Sequence, residues 1–221
     1  DYVRGALKRI QSNTNNSETT ANNTLTSWNS DGFALGTEND TNGSGRLFAS
    51  WNWKANGSGS SNTDGSTTST VSVNTTSGFS IVKYTGTSSA ATIGHGLGAV
   101  PKMIIVKNLS SGSRKWVVWH HNLTSASKYL SLSSNATEAN DTATWNNTLP
   151  TSTVFSSAGS GEVNQGGNSF IAYCFADVQG YQKMGGYTGN NTAGGSNTQF
   201  VYTGFRPKLV MVKEISGTSN W

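Results

Sequence analysis

Several things are scarce in this 221-residue chain, and each scarcity excludes something. It has one cysteine, Cys174, so no internal disulfide framework is available. Charged residues make up only 12%, which sets it apart from charge-rich disordered chains. No run approaches the roughly 18 continuous apolar residues of a membrane span. The opening DYVRGALKRIQ lacks the apolar core of a signal peptide. Helical periodicity nowhere extends beyond two turns. The fifteen basic residues are scattered, with only Lys8-Arg9 and Arg114-Lys115 adjacent, and none form a run interleaved with aromatics. The net charge of +4 follows from a shortage of acids, so it gives no reason to expect nucleic-acid binding.

Chemical motifs are scarce too. The eleven acidic residues are dispersed among Asn, Thr and Gly, as turn residues are, and do not form the paired carboxylates of a glycosidase. No Gly-x-Ser-x-Gly nucleophile elbow occurs. Gly94-His95-Gly96-Leu97-Gly98 resembles a phosphate loop in composition, but it leads through Pro101 into a strand rather than a helix. It reads as a glycine-permitted turn, with His95 packing or hydrogen-bonding locally. His120 and His121 are neighbours in a strand pattern and are expected on opposite sides, which does not suit a shared metal ion. Cys174, inside FIAYCFA, reads as a small buried hydrophobe. No catalytic residue, cofactor or metal ligand is assigned, and the chain is expected not to be an enzyme, a polysaccharide depolymerase being the remote alternative.

What is abundant is small and polar. Asn, Ser, Thr and Gly supply 24, 32, 28 and 26 residues. Aromatics reach 10%, with seven tryptophans, which argues for packed strands rather than coil. Strand patterns fall at 32–36, 46–54, 78–84, 103–106, 114–120, 128–133, 168–176, 198–203 and 208–214, and 6–10 fits either one strand or a helical turn. Short strands between polar turns indicate an all-β, antiparallel β-sandwich of jelly-roll or lectin-like type.

The chain also repeats itself. Tyr84-Thr85-Gly86 returns as Tyr187-Thr188-Gly189, Pro101 to Lys107 as Pro207 to Lys213, and Trp116 as Trp221, at spacings of 103, 106 and 105 residues. A near-constant offset of this kind marks a duplicated module. A weaker echo pairs Trp145-Asn146 with Trp28-Asn29, Phe155 with Phe33, and Phe170 to Phe175 with Phe48 to Trp53. Residues 1–57 therefore read as the back half of a module, and 58–78 as a Gly/Ser/Thr-rich linker or long loop. Residues 79–180 read as a complete module and 181–221 as the front half of a further one. Half modules imply either a longer natural polypeptide or partner segments that complete them. Flat rings stack on sugars, so Trp28, Trp51, Trp53, Trp116, Trp119 and Trp145 are the glycan candidates. Trp116 and Trp145 recur and suit a core. Trp51 and Trp119 are the freer ones, with Trp53 beside them.

The stretches SWNSDGFALG, FASWNWKANG, GHGLGAVPKMIIVKN, FIAYCFADVQGYQKMGGYTGN and FVYTGFRPKLVMVK together resemble a virion structural family. This is the repetitive β-rich, tail-fibre-like or concanavalin-lectin-like group of tailed phages from marine and other aquatic environments, whose domains are of unknown function. The resemblance spans most of residues 25–221 and is most specific over GHGLGxxPKMIIVK. It implies a tail-fibre or surface-displayed protein on the virion, outside the cell, that adheres to host surface polysaccharide. It also implies contacts with other virion subunits, homotrimer assembly being favoured. The alternatives are a capsid decoration protein and a carbohydrate-binding module of a secreted bacterial protein.

Overall fold

In the computed structural model, which describes residues 1–193 and 198–221, the organising element is one antiparallel sheet of eight strands. The N-terminal segment carries β1 (Lys8–Arg9) and β2 (Thr19–Thr20), then a hairpin of β3 (Leu25–Trp28) and β4 (Phe33–Leu35), then the single helical turn α1 (Asn39–Asn42). Next come β5 (Ser60–Asn62), β6 (Ser69–Asn74), β7 (Phe79–Thr85), β8 (Ala91–Gly94), β9 (Met103–Asn108), β10 (Trp116–His120), β11 (Lys128–Ser131) and β12 (Ala139–Asn140). The helical turn α2 (Thr142–Trp145), β13 (Val154–Ser157) and β14 (Ser169–Phe175) complete the order.

The large sheet runs β12-β11-β10-β9-β14-β7-β6-β5. Two meanders, β5 to β7 and β9 to β12, are joined by β14, which inserts between β7 and β9. In register, Ala172 lies opposite Val82 on one side and Val106 on the other. β8 leaves this sheet and pairs with β13, placing Phe155 opposite Ile93. The architecture is thus all-β with antiparallel sheets, consistent with a β-sandwich.

Strand alternation assigns the two faces of the large sheet. One face carries Val82, Tyr84, Ile104, Val106, Val117, Trp119, Phe170, Ala172 and Cys174, and all are buried. The β8–β13 pair and α2 cover it with Ile93, Trp145 and Phe155. Tyr84 stacks on Phe170 at 5.2 Å and meets Phe155 edge-on at 6.0 Å, while Trp145 meets Phe155 at 6.4 Å. The other face carries Ile81, Ile105, Trp116, Val118, Ile171, Tyr173 and Phe175. Residues 1–20 and the strap around Trp53 lie over it, so β9 and β14 read as continuous apolar runs because both of their faces are covered.

α2 shows how local sequence stops a polar stretch from drifting. The Asp141 carboxylate caps the turn by accepting from the Ala143 N–H at 2.9 Å, and Asn146 closes it in the left-handed region at φ 52°. The turn holds Trp145 in the core at 2% exposure.

Four expectations need correction. The 58–78 stretch is not simply linker, because it supplies β5 and all of β6, whose Val71 is buried opposite Val82. Its Ser/Thr-rich sequence hides a strand whose polar side chains bind the neighbouring loops, as Ser69 does in donating to the Gly94 carbonyl at 2.9 Å. Conversely, the apolar stretches 46–54 and 208–214, along with 198–203, carry no strand. A strand persists only where its ladder is paired, and none of these segments takes part in a β-ladder in this arrangement.

Candidate functional site

The residue types that usually carry chemistry are spent on packing. His95 is fully buried, its Nδ1 accepts from the Leu97 N–H at 3.2 Å, and its Nε2 lies 3.2 Å from the Thr151 carbonyl oxygen. Those contacts fix the tautomer, with the proton on Nε2, and burial lowers the imidazole pKa below its usual value. Gly96 and Gly98, at φ 70° and 68°, make the turn that lets the chain fold back over the ring. Cys174 is buried beside Ser80 across the β7–β14 pair, and burial pushes its thiol up to about 12. Such a thiol is unreactive.

The two adjacent histidines depart from expectation. β10 ends at His120, so strand alternation does not reach His121, and the rings lie 4.9 Å apart instead of on opposite sides. His121 Nε2 lies 3.1 Å from the Met184 carbonyl oxygen, and His120 Nδ1 accepts from the Asn122 N–H at 3.2 Å. Burial, aided by the neighbouring His121, lowers His120 to about 4. Among the described residues no cluster of His, Cys, Asp and Glu is arranged to hold a metal ion.

The glycan candidates separate sharply. Trp119 lies on the core face of β10 at 3% exposure, and Trp116 and Trp145 are equally enclosed, so none offers a ring to a sugar. In the sequence Trp119 looks free because its repeat counterpart falls beyond Trp221. The strand's second buried face, which only the sheet order reveals, is what encloses it. Trp28 is half-buried between Tyr2 and Phe33. Trp51 is 61% exposed and Trp53 43%, the latter leaning on Phe79 and Phe175 at 6.3 and 5.9 Å. A feature that no motif indicates is a shallow groove of about 220 Å³ at the β5–β6–β7 corner. Ser61, Thr68, Thr70, Lys83, Thr85 and Ser169 line it, a row of hydroxyls around one ammonium.

A second region is built by both ends of the chain. The N-terminal segment docks through Gln11, whose carbonyl oxygen accepts from the Trp116 indole N–H at 2.9 Å, and through Asn15, whose carbonyl oxygen accepts from Lys107 Nζ at 3.0 Å. Lys107 is fully buried and also donates to the Arg114 carbonyl oxygen at 2.7 Å; burial lowers its ammonium to about 8. The Glu18 N–H donates to the Leu109 carbonyl oxygen at 2.9 Å. Arg4 bridges Asp1 and Glu18, and Tyr173 donates to Asp1 Oδ2 at 2.6 Å. The C-terminal segment docks near the same place. Trp221 donates its indole N–H to the Ser131 carbonyl oxygen at 2.9 Å, and Lys213 Nζ to that of Asn135 at 3.3 Å. The Glu138 N–H donates to the Ile215 carbonyl oxygen at 3.1 Å. A cleft of about 430 Å³ between them is lined by Asn13 from one end, Trp221 and Asn220 from the other, and Leu132 to Asn135.

Compared with known proteins, residues 1–221 match one family, described as a domain of unknown function (DUF7483). No curated protein and no solved structure matches the chain.

Proposed function

We propose, for a chain that belongs to the DUF7483 family over residues 1–221, a structural role on the virion surface: a tail-fibre or similarly displayed β-protein that adheres to host surface glycans. The observation that carries the reading is the hydroxyl-lined groove around Lys83. Its Ser and Thr side chains and single ammonium suit hydrogen bonding to sugar hydroxyls, and the ammonium adds attraction for acidic polysaccharides. A surface rich in Asn, Ser and Thr over an antiparallel sheet supports an extracellular setting. The resemblance to phage virion proteins supplies the particle, and subunit association, a homotrimer in the first instance, would cover the outer strands β5 and β12.

Two measurements test this. Antibody against residues 79–180 should label fibres or the tail tip of purified particles. Glycan-array binding should fall at least tenfold in Lys83→Ala with the fold intact by circular dichroism. Absence of label together with absence of glycan binding overturns the proposal. The same groove also favours a second reading, a carbohydrate-binding module of a secreted protein, which glycan binding without particle label would select. Label spread over the capsid would select a decoration protein.

A further inference from the structure

Three hydrogen bonds in this structure occur twice. Trp116 to Gln11, Lys107 to Asn15 and Glu18 to Leu109 are matched by Trp221 to Ser131, Lys213 to Asn135 and Glu138 to Ile215. On the Trp/Lys/Leu side each member moves on by 105 or 106 residues, which is the module spacing. On the Gln/Asn/Glu side each moves on by 120, aligning QSNTNNSE with SLSSNATE. The two sets are reciprocal. The complete module offers its β9–β10 end to the N-terminal segment, and offers its own β11–β12 loop to the C-terminal segment.

Reciprocity of this kind is the mark of a two-fold contact between equivalent bodies, in which residue i meets j and j meets i. It requires the N-terminal and C-terminal segments to belong to one body. The cleft supports that, since Asn13 and Trp221 line it together, with Ser133, the counterpart of Asn13, in the same lining. One further contact is its own counterpart. Trp53 corresponds to Phe175 in the repeat, and the two rings touch at 5.9 Å.

We infer that residues 1–57, 181–193 and 198–221 join within one chain to form a second copy of the module, packed on the first about a pseudo-two-fold axis. The repeat also fixes how they join. In the complete module Phe170–Phe175 pairs antiparallel with Asn108–Met103. The same register places Phe48 opposite Glu214, Ser50 opposite Val212, Trp51 opposite Met211 and Trp53 opposite Leu209. Those segments hold the apolar side chains that lack cover here. Leu47 is wholly exposed, Trp51 61%, Leu209 52%, Val210 67% and Val212 46%, whereas Met103, Ile104 and Val106, the counterparts of the last three, are buried. Apolar segments with this much exposure are aggregation-prone, and mutual pairing removes the hazard. This pairing rests on the repeat and not on the glycan groove, so no outcome below bears on sugar binding in that groove.

Ser50→Cys combined with Val212→Cys tests it in the full chain, with Ser50→Cys plus Met211→Cys as a control one residue out of register. Under mild oxidation at micromolar protein, the in-register pair should form an intrachain disulfide in the monomer at least tenfold faster than the control. A ladder of disulfide-linked multimers would place the pairing between copies and overturn the intrachain module. Equal rates, or no disulfide, would overturn the pairing itself. If the double variant fails to fold, hydrogen exchange on the unmodified chain decides: slow amides at 209–213 support the pairing and fast ones overturn it.

Discussion

At the scale of the residue, burial has converted reactive groups into structural ones, and this has consequences that can be measured. His120 and His95 both have depressed folded-state pKa values, that of His120 from 6.5 to about 4. The unfolded chain therefore takes up protons first as pH falls. Stability is full above about pH 6.5 and is lost as pH falls through the window down to about 4. The contribution of His120 is at most ~3 kcal/mol, since each tenfold change in proton affinity corresponds to ~1.4 kcal/mol. Urea unfolding at pH 4.5 and 7 should show the loss, and His120→Gln should flatten it; an unchanged slope would remove His120 as the cause. Tyr84, buried with its hydroxyl donating to the Val163 carbonyl oxygen at 2.6 Å, gives a second test. Tyr84→Phe keeps the ring stacks and orphans a buried carbonyl, so unfolding free energy should fall by about 1–2 kcal/mol. Unchanged stability would mean that water satisfies Val163 instead.

At the scale of the element, what the sequence makes legible follows from how each strand is covered. β7, β9, β10 and β14 stand out as apolar runs because both faces of the central sheet are packed. β6 is inconspicuous because Ser69 and Ser72 are buried through hydrogen bonds rather than apolar contact. β8 and β13 are short, and polar residues alternate with Ile93 and Phe155, so only tertiary pairing identifies them. Of the candidate aromatics, repetition correctly points Trp116 and Trp145 to the core, but nothing local distinguishes buried Trp119 from exposed Trp51. The hydroxyl groove is illegible because its residues come from four strands and the loop before β6, and they look like every other Ser and Thr in the chain. The turn after β7 yields the clearest test at this scale. A Cβ on Gly86 would run into the Gln165 carbonyl oxygen and lie 2.8 Å from the Phe170 ring. Gly86→Ala should shift the β7–β14 junction and cost about 1–3 kcal/mol, by analogy with overpacked cores, read as a lower melting temperature. Full retention of stability would show that the turn can yield.

At the scale of the whole molecule, the inferred architecture puts two modules in one chain, one continuous and one assembled from its two ends. The duplicated hydrogen bonds make the two modules reciprocal, and the exposed segments 46–53 and 209–214 are complementary by register. The same pairing would cover the rings of Trp51 and Trp53, as their repeat counterparts Tyr173 and Phe175 are covered by a neighbouring segment in the complete module. Glycan binding should accordingly survive Trp51→Ala while compactness suffers, and loss of sugar binding with the fold intact would return Trp51 to the binding site.

The most direct measurement is amide hydrogen exchange over the unmodified chain, read peptide by peptide. The two-module account expects the amides of 48–53 and 209–213 to exchange at least a hundredfold more slowly than those of an unstructured peptide, and together with one another on titration with denaturant. Exchange of both segments at unstructured rates, beside a protected 79–175, would contradict it and leave a single module with two unpaired arms.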